Sequence, residues 1–299
     1  MPRTGLVELN AVVAVASHRS FRAAATELGM SPSALSHAIA ALEQRMGVRL
    51  FNRTTRSVSL TEAGEQFLAK VRPALREIAE AIDATNVFRD SPAGTLRLNM
   101  SEGAARQILT PIVLEFMRRY PQMQVDLVTQ GRLVDIVAEG FDAGIRLTEA
   151  VPQDMIAIPC GPEQRYAVVG SPAYFNSRAR PKTPGDLVAH ECIRGRLPSG
   201  AMLKWEFEKR GEQMVVDIKG PLTLDHYELW IEAALEGAGL AYVNEWSVSH
   251  EISSGRLIRV LEDWTQPFPG LSLYYSGHRH VPAGLRAFIG IIREAASRR

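Results

Sequence analysis

Side chains able to do covalent chemistry are sparse in this 299-residue chain and poorly spaced for it. No G-x-S-x-G, G-x-x-x-x-G-K-[ST] or H-E-x-x-H pattern occurs, so no catalytic constellation is expected and the chain does not read as an enzyme. Glu236-Gly237-Ala238-Gly239 is the nearest thing to a glycine-rich loop, but it follows a helical pattern and leads into a strand. A phosphate loop needs the reverse order, so this run reads as a tight turn. His278 and His280, with His226 and His250 scattered elsewhere, lack metal-ligand spacing. No metal and no cofactor are expected. Two cysteines, Cys160 and Cys192, cannot build a disulfide framework and read as buried thiols of a protein kept in a reducing cytoplasm. What remains is non-covalent chemistry. Ser31, Pro32, Ser33, Ala34, Ser36 and His37 form a run of mostly short polar side chains, and Arg53, Thr54 and Arg56 lie in a polar basic stretch. Short side chains let a backbone lie close to base edges, hydroxyls and a helix N-terminus suit phosphates, and arginines can track a phosphate backbone or enter a minor groove.

Those residues need rigid elements to present them. Leu6, Leu9, Val13 and Ala16 make one helical stripe; Phe21, Ala24, Ala25 and Leu28 make a second, stopped by Gly29. Ser31-Pro32 opens a third helix with a hydroxyl cap and a first-turn proline, and Leu35, Ile39, Leu42 and Met46 form its buried stripe before Gly47. Ser33, Ser36, His37 and Ala40 then point away from that stripe, as on the second helix of a helix-turn-helix. Val48 to Phe51 and Val58 to Leu60 alternate as short strands around Asn52 to Ser57, a β-wing. The net charge of +1 hides an asymmetry: residues 1–60 carry seven arginines against three glutamates, +4, which leaves −3 for the remainder. A basic head on a near-neutral body suits DNA phosphates. Leu9 to Ala16 superficially resembles a signal-peptide core, but Asn10 interrupts it and Glu8 precedes it, so a buried first helix is expected. No apolar run is long enough to span a bilayer, and no membrane partner is expected.

At fixed spacing, Phe21-Arg22-Ala23-Ala24-Ala25, Leu28, Ser31-Pro32-Ser33-Ala34-Leu35-Ser36, Ile39, Leu42-Glu43, Gly47-Val48-Arg49-Leu50-Phe51, Arg53 and Leu60-Thr61-Glu62-Ala63-Gly64 resemble the signature of LysR-type transcriptional regulators. Pro32 stands where that family often has Gln, and His37 where it often has Arg. The resemblance implies an N-terminal winged helix-turn-helix (1–60), a linker and dimerisation helix (61–88), a hinge (89–94) and an α/β effector-binding domain (95–299) of periplasmic-binding-protein type. Lobe one would comprise 95–162 and 266–299, and lobe two 163–265. Implied partners are double-stranded operator DNA, a small-molecule co-effector, further copies of the chain as a dimer or a tetramer of paired dimers, and RNA polymerase.

The residues support that organisation independently. Thr61 can cap a helix in which Leu68, Leu75 and Ile82 recur every seven residues with Val71 and Ile78 between, an a/d seam interrupted by Pro73. A lone helix there would expose its stripe, so pairing with a second subunit is expected. From Thr95 onward strands and helices alternate, including a helix over 104–120 and another over 133–139, which predicts mainly parallel sheets. A ligand would sit at strand carboxyl ends and helix N-termini. Ser101 follows the first strand, and Thr129 and Arg146 end the second and third. In the other half Thr223 and Asp225 precede a helix, in a turn that the family resemblance implies lines the cleft, with Arg194 and Arg196 as weaker candidates. Each has a plainer reading: Ser101 and Asp225 as helix caps, and Arg146 as a bridge to Asp142 or Glu149. An arginine at a strand end would favour a carboxylate ligand. Two other functions remain open, a free-standing solute-binding module or enzyme on the same C-terminal fold, and a DNA binder without ligand control.

Overall fold

A computed structural model describes residues 5–54, 57–84, 91–277 and 281–298, without the side chains of 76, 79, 80 and 82–84. Thr55, Arg56, His278, His280 and the start of the expected hinge lie outside these residues. Helices α1 (Leu6–His18), α2 (Phe21–Glu27) and α3 (Pro32–Met46) open the chain. Their ends are set locally. Ser20 and Ser31 accept hydrogen bonds from Ala23 N and Ala34 N, at 3.3 and 3.2 Å, and Gly47 closes α3 at φ +68°, a left-handed conformation open to glycine. Leu35, Ile39 and Leu42 are essentially fully buried against Val12, Val15, Ala24 and Ala25. Each such leucine or isoleucine stabilises the cluster by roughly 1.5–3 kcal/mol. Strands β1 (Phe51–Arg53) and β2 (Val58–Leu60) pair antiparallel as the wing.

Thr61 caps α4 (Glu62–Ala84), accepting from Gly64 N at 3.0 Å, and Pro73 lies within the helix. The heptad seam divides between two tasks. Leu68 is buried in the N-terminal core, whereas Ile78 is exposed and Val71 and Leu75 are half-buried. Ile82 is among the side chains not described.

The remaining chain forms two lobes. In lobe one, β3 (Gly94–Met100) leads into α5 (Glu102–Ile108), which continues through a π-helical segment, Leu109–Leu114, into α6 (Glu115–Arg119). Pro111 lies inside that widened turn, where it lacks the N–H an α-turn would use and crowds the preceding carbonyl. Then come β4 (Met123–Thr129), β5 (Ala143–Leu147) and β6 (Met155–Pro159). Lobe two holds β7 (Tyr166–Gly170), α7 (Pro172–Phe175), β8 (Arg194–Gly195), the hairpin β9 (Trp205–Lys209) and β10 (Glu212–Val216), β11 (Thr223–Leu224), α8 (Tyr227–Leu235), β12 (Ala241–Asn244), α9 (Ser249–Ser253) and β13 (Ile258–Val260). The chain returns to lobe one with β14 (Leu271–Ser276) and α10 (Ala283–Ser297). Its lobe-one sheet has the order β4-β3-β5-β14-β6, with a core of Leu96, Leu98, Ile145, Leu273, Phe116 and Phe288. The two connections between lobes pair with each other at Gln164 and Phe268.

Two expectations are corrected here. The sheets are mixed: β3 pairs parallel with β4 and β5, but β14 runs antiparallel to β5 and β6, and β7 antiparallel to β12 and β13. Because β14 comes back from lobe two, it enters the first sheet from the opposite direction. The expected helix over 133–139 is a single turn. Asp135 Oδ1 accepts from Val137 N and Ala138 N, both at 2.9 Å, and Gly140 (φ +81°) ends the turn as Phe141 N donates to Ile136 O. An aspartate bonding its own following amides competes with helix propagation. Among the described residues, no helix is long and apolar enough to cross a membrane, and no group of three or more His, Cys, Asp or Glu could hold a metal ion.

Candidate nucleic-acid interface and effector cleft

On α3 the cap, the buried stripe and the outward face are separated by helical geometry alone. Ser31 Oγ holds the first turn and lies 3.1 Å from Ser33 Oγ. Pro32, Ser33, Ala34, His37 and Ala40 are exposed, and Ser36 is half-buried. The α3 N-terminus and its short side chains therefore form an accessible surface with a positive helix end.

Arg53 is engaged otherwise than a free wing arginine would be. Its Nη1 donates to Ser36 Oγ at 3.1 Å, its Nη2 pairs with Glu43 Oε2 at 3.1 Å, and its guanidinium lies 4.4 Å from the centroid of Phe21. Glu43 Oε1 also accepts from Leu50 N at 2.8 Å and Phe51 N at 3.1 Å. One carboxylate of α3 thus fixes the entry of the wing, and Arg53 locks the wing to α2 and α3. Thr54 and Ser57 close the turn, Thr54 N donating to Ser57 O at 2.9 Å. Arg56 lies outside the described residues. Sequence reasoning passed over Arg22 and Arg49, which are exposed and in no ion pair among the described residues. Their signal was the excess of arginine in the head.

The second site is built by strand register. Met100 pairs with Thr129 on one side and Ile145 on the other, which brings Ser101, Thr129 and Arg146 to one edge of lobe one. In lobe two, Thr223 pairs with Arg194, and Asp225 follows at the start of α8. These two edges face each other. Arg106 Nη1 lies 3.5 Å from Glu228 Oε1, and His226 Nε2 lies 3.8 Å from Glu102 Oε2, so α5 and the start of α8 meet across the gap. A β-carbon at Gly131 would lie 2.6 Å from Pro198 Cγ, which shows how closely the lobes approach. An amide chain completes the link: Gln164 Nε2 donates to Gln107 Oε1 at 2.8 Å, and Asn244 Nδ2 donates to Gln164 Oε1.

Ser101 is a helix cap, accepting from Ala104 N at 3.2 Å, with its own hydroxyl proton left to donate. Asp225 is not. The cap position of α8 is His226, which makes no side-chain cap bond, and Asp225 stays exposed. Arg146 bridges to neither Asp142 nor Glu149. It is 7% exposed, and it donates to the carbonyls of Asn99, Ile145, Gln130 and Arg132, at 3.2, 2.8, 3.1 and 3.0 Å, and to Asn99 Oδ1. Asp142 instead accepts from Arg97 N at 2.8 Å. Burial lowers the Arg146 pKa, opposed by the nearby Tyr274. Asn99, Gly144 and Tyr274 align across the sheet, with Arg146 two residues further along the same face. Arg146 Nε, Asn99 Nδ2 and Tyr274 Oη are buried polar atoms without a hydrogen-bond partner among the described residues. All three are hydrogen-bond donors.

Two family models match the chain. Residues 6–65 fit the bacterial regulatory helix-turn-helix protein, lysR family, and residues 89–297 fit the LysR substrate binding domain. The chain is 43% identical over 291 residues to YcaN of Escherichia coli (strain K12), described as an uncharacterized HTH-type transcriptional regulator, covering 97% of this chain and 95% of that one. It is 40% identical to the HTH-type transcriptional regulator PgrR of the same strain, covering 97% of each. Among solved structures it is similar to full-length AphB, the Vibrio cholerae virulence activator, at TM-score 0.67 and 25% identity, covering 97% of this chain and 99% of that one. It is also similar to CrgA of Neisseria meningitidis, at TM-score 0.58 and 27% identity, covering 98% and 99%.

Proposed function

The chain belongs to the lysR family of bacterial regulatory helix-turn-helix proteins, and from that premise we propose that it reads operator DNA under the control of a small anionic effector held between the lobes. It is a DNA-binding, effector-responsive, oligomeric transcriptional regulator, as the family is. The finer assignments are ours. Ser31, Pro32, Ser33, Ala34, Ser36 and His37 meet the major groove, Thr54 and Arg56 meet the backbone, and Arg22 and Arg49 add phosphate contacts. Arg53 positions the wing. The divisions 1–60, 61–88, 89–94 and 95–299, with the lobes as given above, are part of this reading. So are pairing of α4 with its copy through Val71, Leu75 and Ile78, a tetramer of such pairs, contact with RNA polymerase, and a cytoplasmic location.

One observation carries the choice of an anion. Arg146 is a buried cation with no carboxylate partner among the described residues, near two further unpartnered donors on the same face of the sheet. A cation in low dielectric favours an anion strongly, and donors without acceptors favour a ligand rich in acceptors. Ser101, Thr129, Arg194, Thr223 and Asp225 frame that position and set ligand shape. An effector acts by binding one lobe arrangement better than another and so changes the spacing of the DNA-binding heads.

The test is binding of the purified protein to fragmented DNA of its own genome, with and without small carboxylates and their neutral amides. Recovery of a few palindromic sites, lost in His37→Glu and shifted by a carboxylate but not by its amide, is the expected result. Diffuse, salt-sensitive binding that His37→Glu leaves unchanged would overturn the operator reading. An equal response to acid and amide would overturn the anionic one.

A further inference from the structure

A second cavity lies beside the connections between the lobes. Its volume is about 360 Å³, and none of its lining residues is among the six cleft positions named above. Tyr166, Tyr242 and Phe268 form its apolar part: the Tyr166 ring stacks on Tyr242 at 4.5 Å and on Phe268 at 5.1 Å. Trp264 also lines it, 9% exposed, with an indole N–H that has no hydrogen-bond partner among the described residues. Glu149 of lobe one and Glu206 and Glu208 of β9 in lobe two complete the wall, with no lysine or arginine among the lining residues. None of the three carboxylates is in an ion pair among the described residues. Two cations close to the wall are paired: Lys209 with Asp263, and Arg259, which also donates to the Tyr166 carbonyl and the Thr265 hydroxyl, with Glu245. Lys209 Nζ itself lies 5.2 Å from the Trp264 ring centroid, an ammonium already seated on one of the lining aromatics.

We propose that this cavity is a second ligand site, which takes a small organic cation with an apolar body. Its volume falls within the range of small-molecule sites. Carboxylates without an ion-pair partner among the described residues attract an ammonium by charge, and the aromatic wall buries its apolar body. An anion would meet three carboxylates there and no lysine or arginine among the lining residues. The carboxylates come from both lobes, so a cation held between Glu149 and the β9 pair favours the lobe arrangement that brings them together. The site therefore biases the same equilibrium as the cleft, with the opposite ligand charge.

Calorimetric titration of the full-length protein with benzylammonium chloride tests this, with benzyl alcohol as the neutral counterpart. Saturable binding of the cation alone is expected, weakened about tenfold or more in a Glu206→Gln, Glu208→Gln double variant that melts like the parent. A second pair of probes needs no variant: choline should compete with benzylammonium, and 3,3-dimethylbutan-1-ol should not. The proposal is overturned by benzyl alcohol binding as well as the cation, by undiminished binding in the double variant, or by no saturable cation binding up to about 10 mM.

Discussion

Replacing Glu43 by alanine removes three interactions with one carboxylate, and their costs can be added from the geometry. Glu43 Oε1 accepts from the backbone of Leu50 and Phe51 at 2.8 and 3.1 Å, and those residues are 0% and 2% exposed. Hydrogen bonds to a charged acceptor contribute about 1.5–3 kcal/mol each, and an amide that water can partly reach loses the lower figure. The ion pair with Arg53 involves a guanidinium side chain that is 32% exposed, so it adds less than about 1 kcal/mol after screening. Glu43→Ala should therefore release the β1–β2 wing by about 3 kcal/mol without touching the buried leucines of α3. Glu43→Gln keeps a neutral oxygen for the two amides and should cost about 1 kcal/mol. Hydrogen exchange read by mass spectrometry on peptides spanning residues 48–54 reports this directly in the full-length protein. About 3 kcal/mol corresponds to exchange roughly a hundredfold faster, and Glu43→Gln should fall between the parent and alanine. Exchange within about threefold of the parent in Glu43→Ala would refute the claim that this carboxylate holds the wing.

Other consequences are equally specific. A β-carbon at Gly64 would lie 2.2 Å from the Leu50 carbonyl oxygen, so Gly64→Ala should force α4 away from the wing and destabilise the N-terminal domain by about 1–3 kcal/mol, seen as a lower melting temperature. Tyr274 Oη has no partner among the described residues, so Tyr274→Phe should leave chemical denaturation within about 0.5 kcal/mol of the parent while diminishing the thermal shift produced by an anionic effector. A large loss of stability would mean that the hydroxyl serves the fold instead. Burial pushes the Cys192 thiol from 9.0 up to about 12, so an aromatic disulfide reagent at pH 8 should label it only as fast as the protein unfolds. Because that pKa is raised in the native state, the contribution of this group to stability is complete below about 9 and is lost as pH rises toward about 12. Rapid labelling of the native protein would contradict a buried, inert thiol.

What could be read from sequence alone follows from the range of the forces involved. The helices of the head are specified within a few residues: Ser31 caps α3 three residues ahead of Ala34, Gly47 ends it, and Leu35, Ile39 and Leu42 recur at the helical period. The polar turn between two apolar strand patterns is local in the same way, and the wing forms where its pattern lies. By contrast, the fate of each arginine depended on distant partners. Arg53 meets Ser36, 17 residues away, and Arg146 meets Asn99 at a separation of 47, neighbours that no spacing rule in one segment can supply. The mixed strand directions arise because β14 returns from lobe two, and the failed helix at 133–139 because the Asp135 side chain takes the amides a helix would need. The cavity beside the lobe connections is the extreme case. Glu149, Tyr166, Glu206, Tyr242 and Phe268 come from five separated stretches of chain, and only the packing of two lobes around paired connections puts them in one wall. Local caps and periodicity settled which elements exist. The tertiary structure decided what each charged side chain faces, because charges act across whatever the fold brings near.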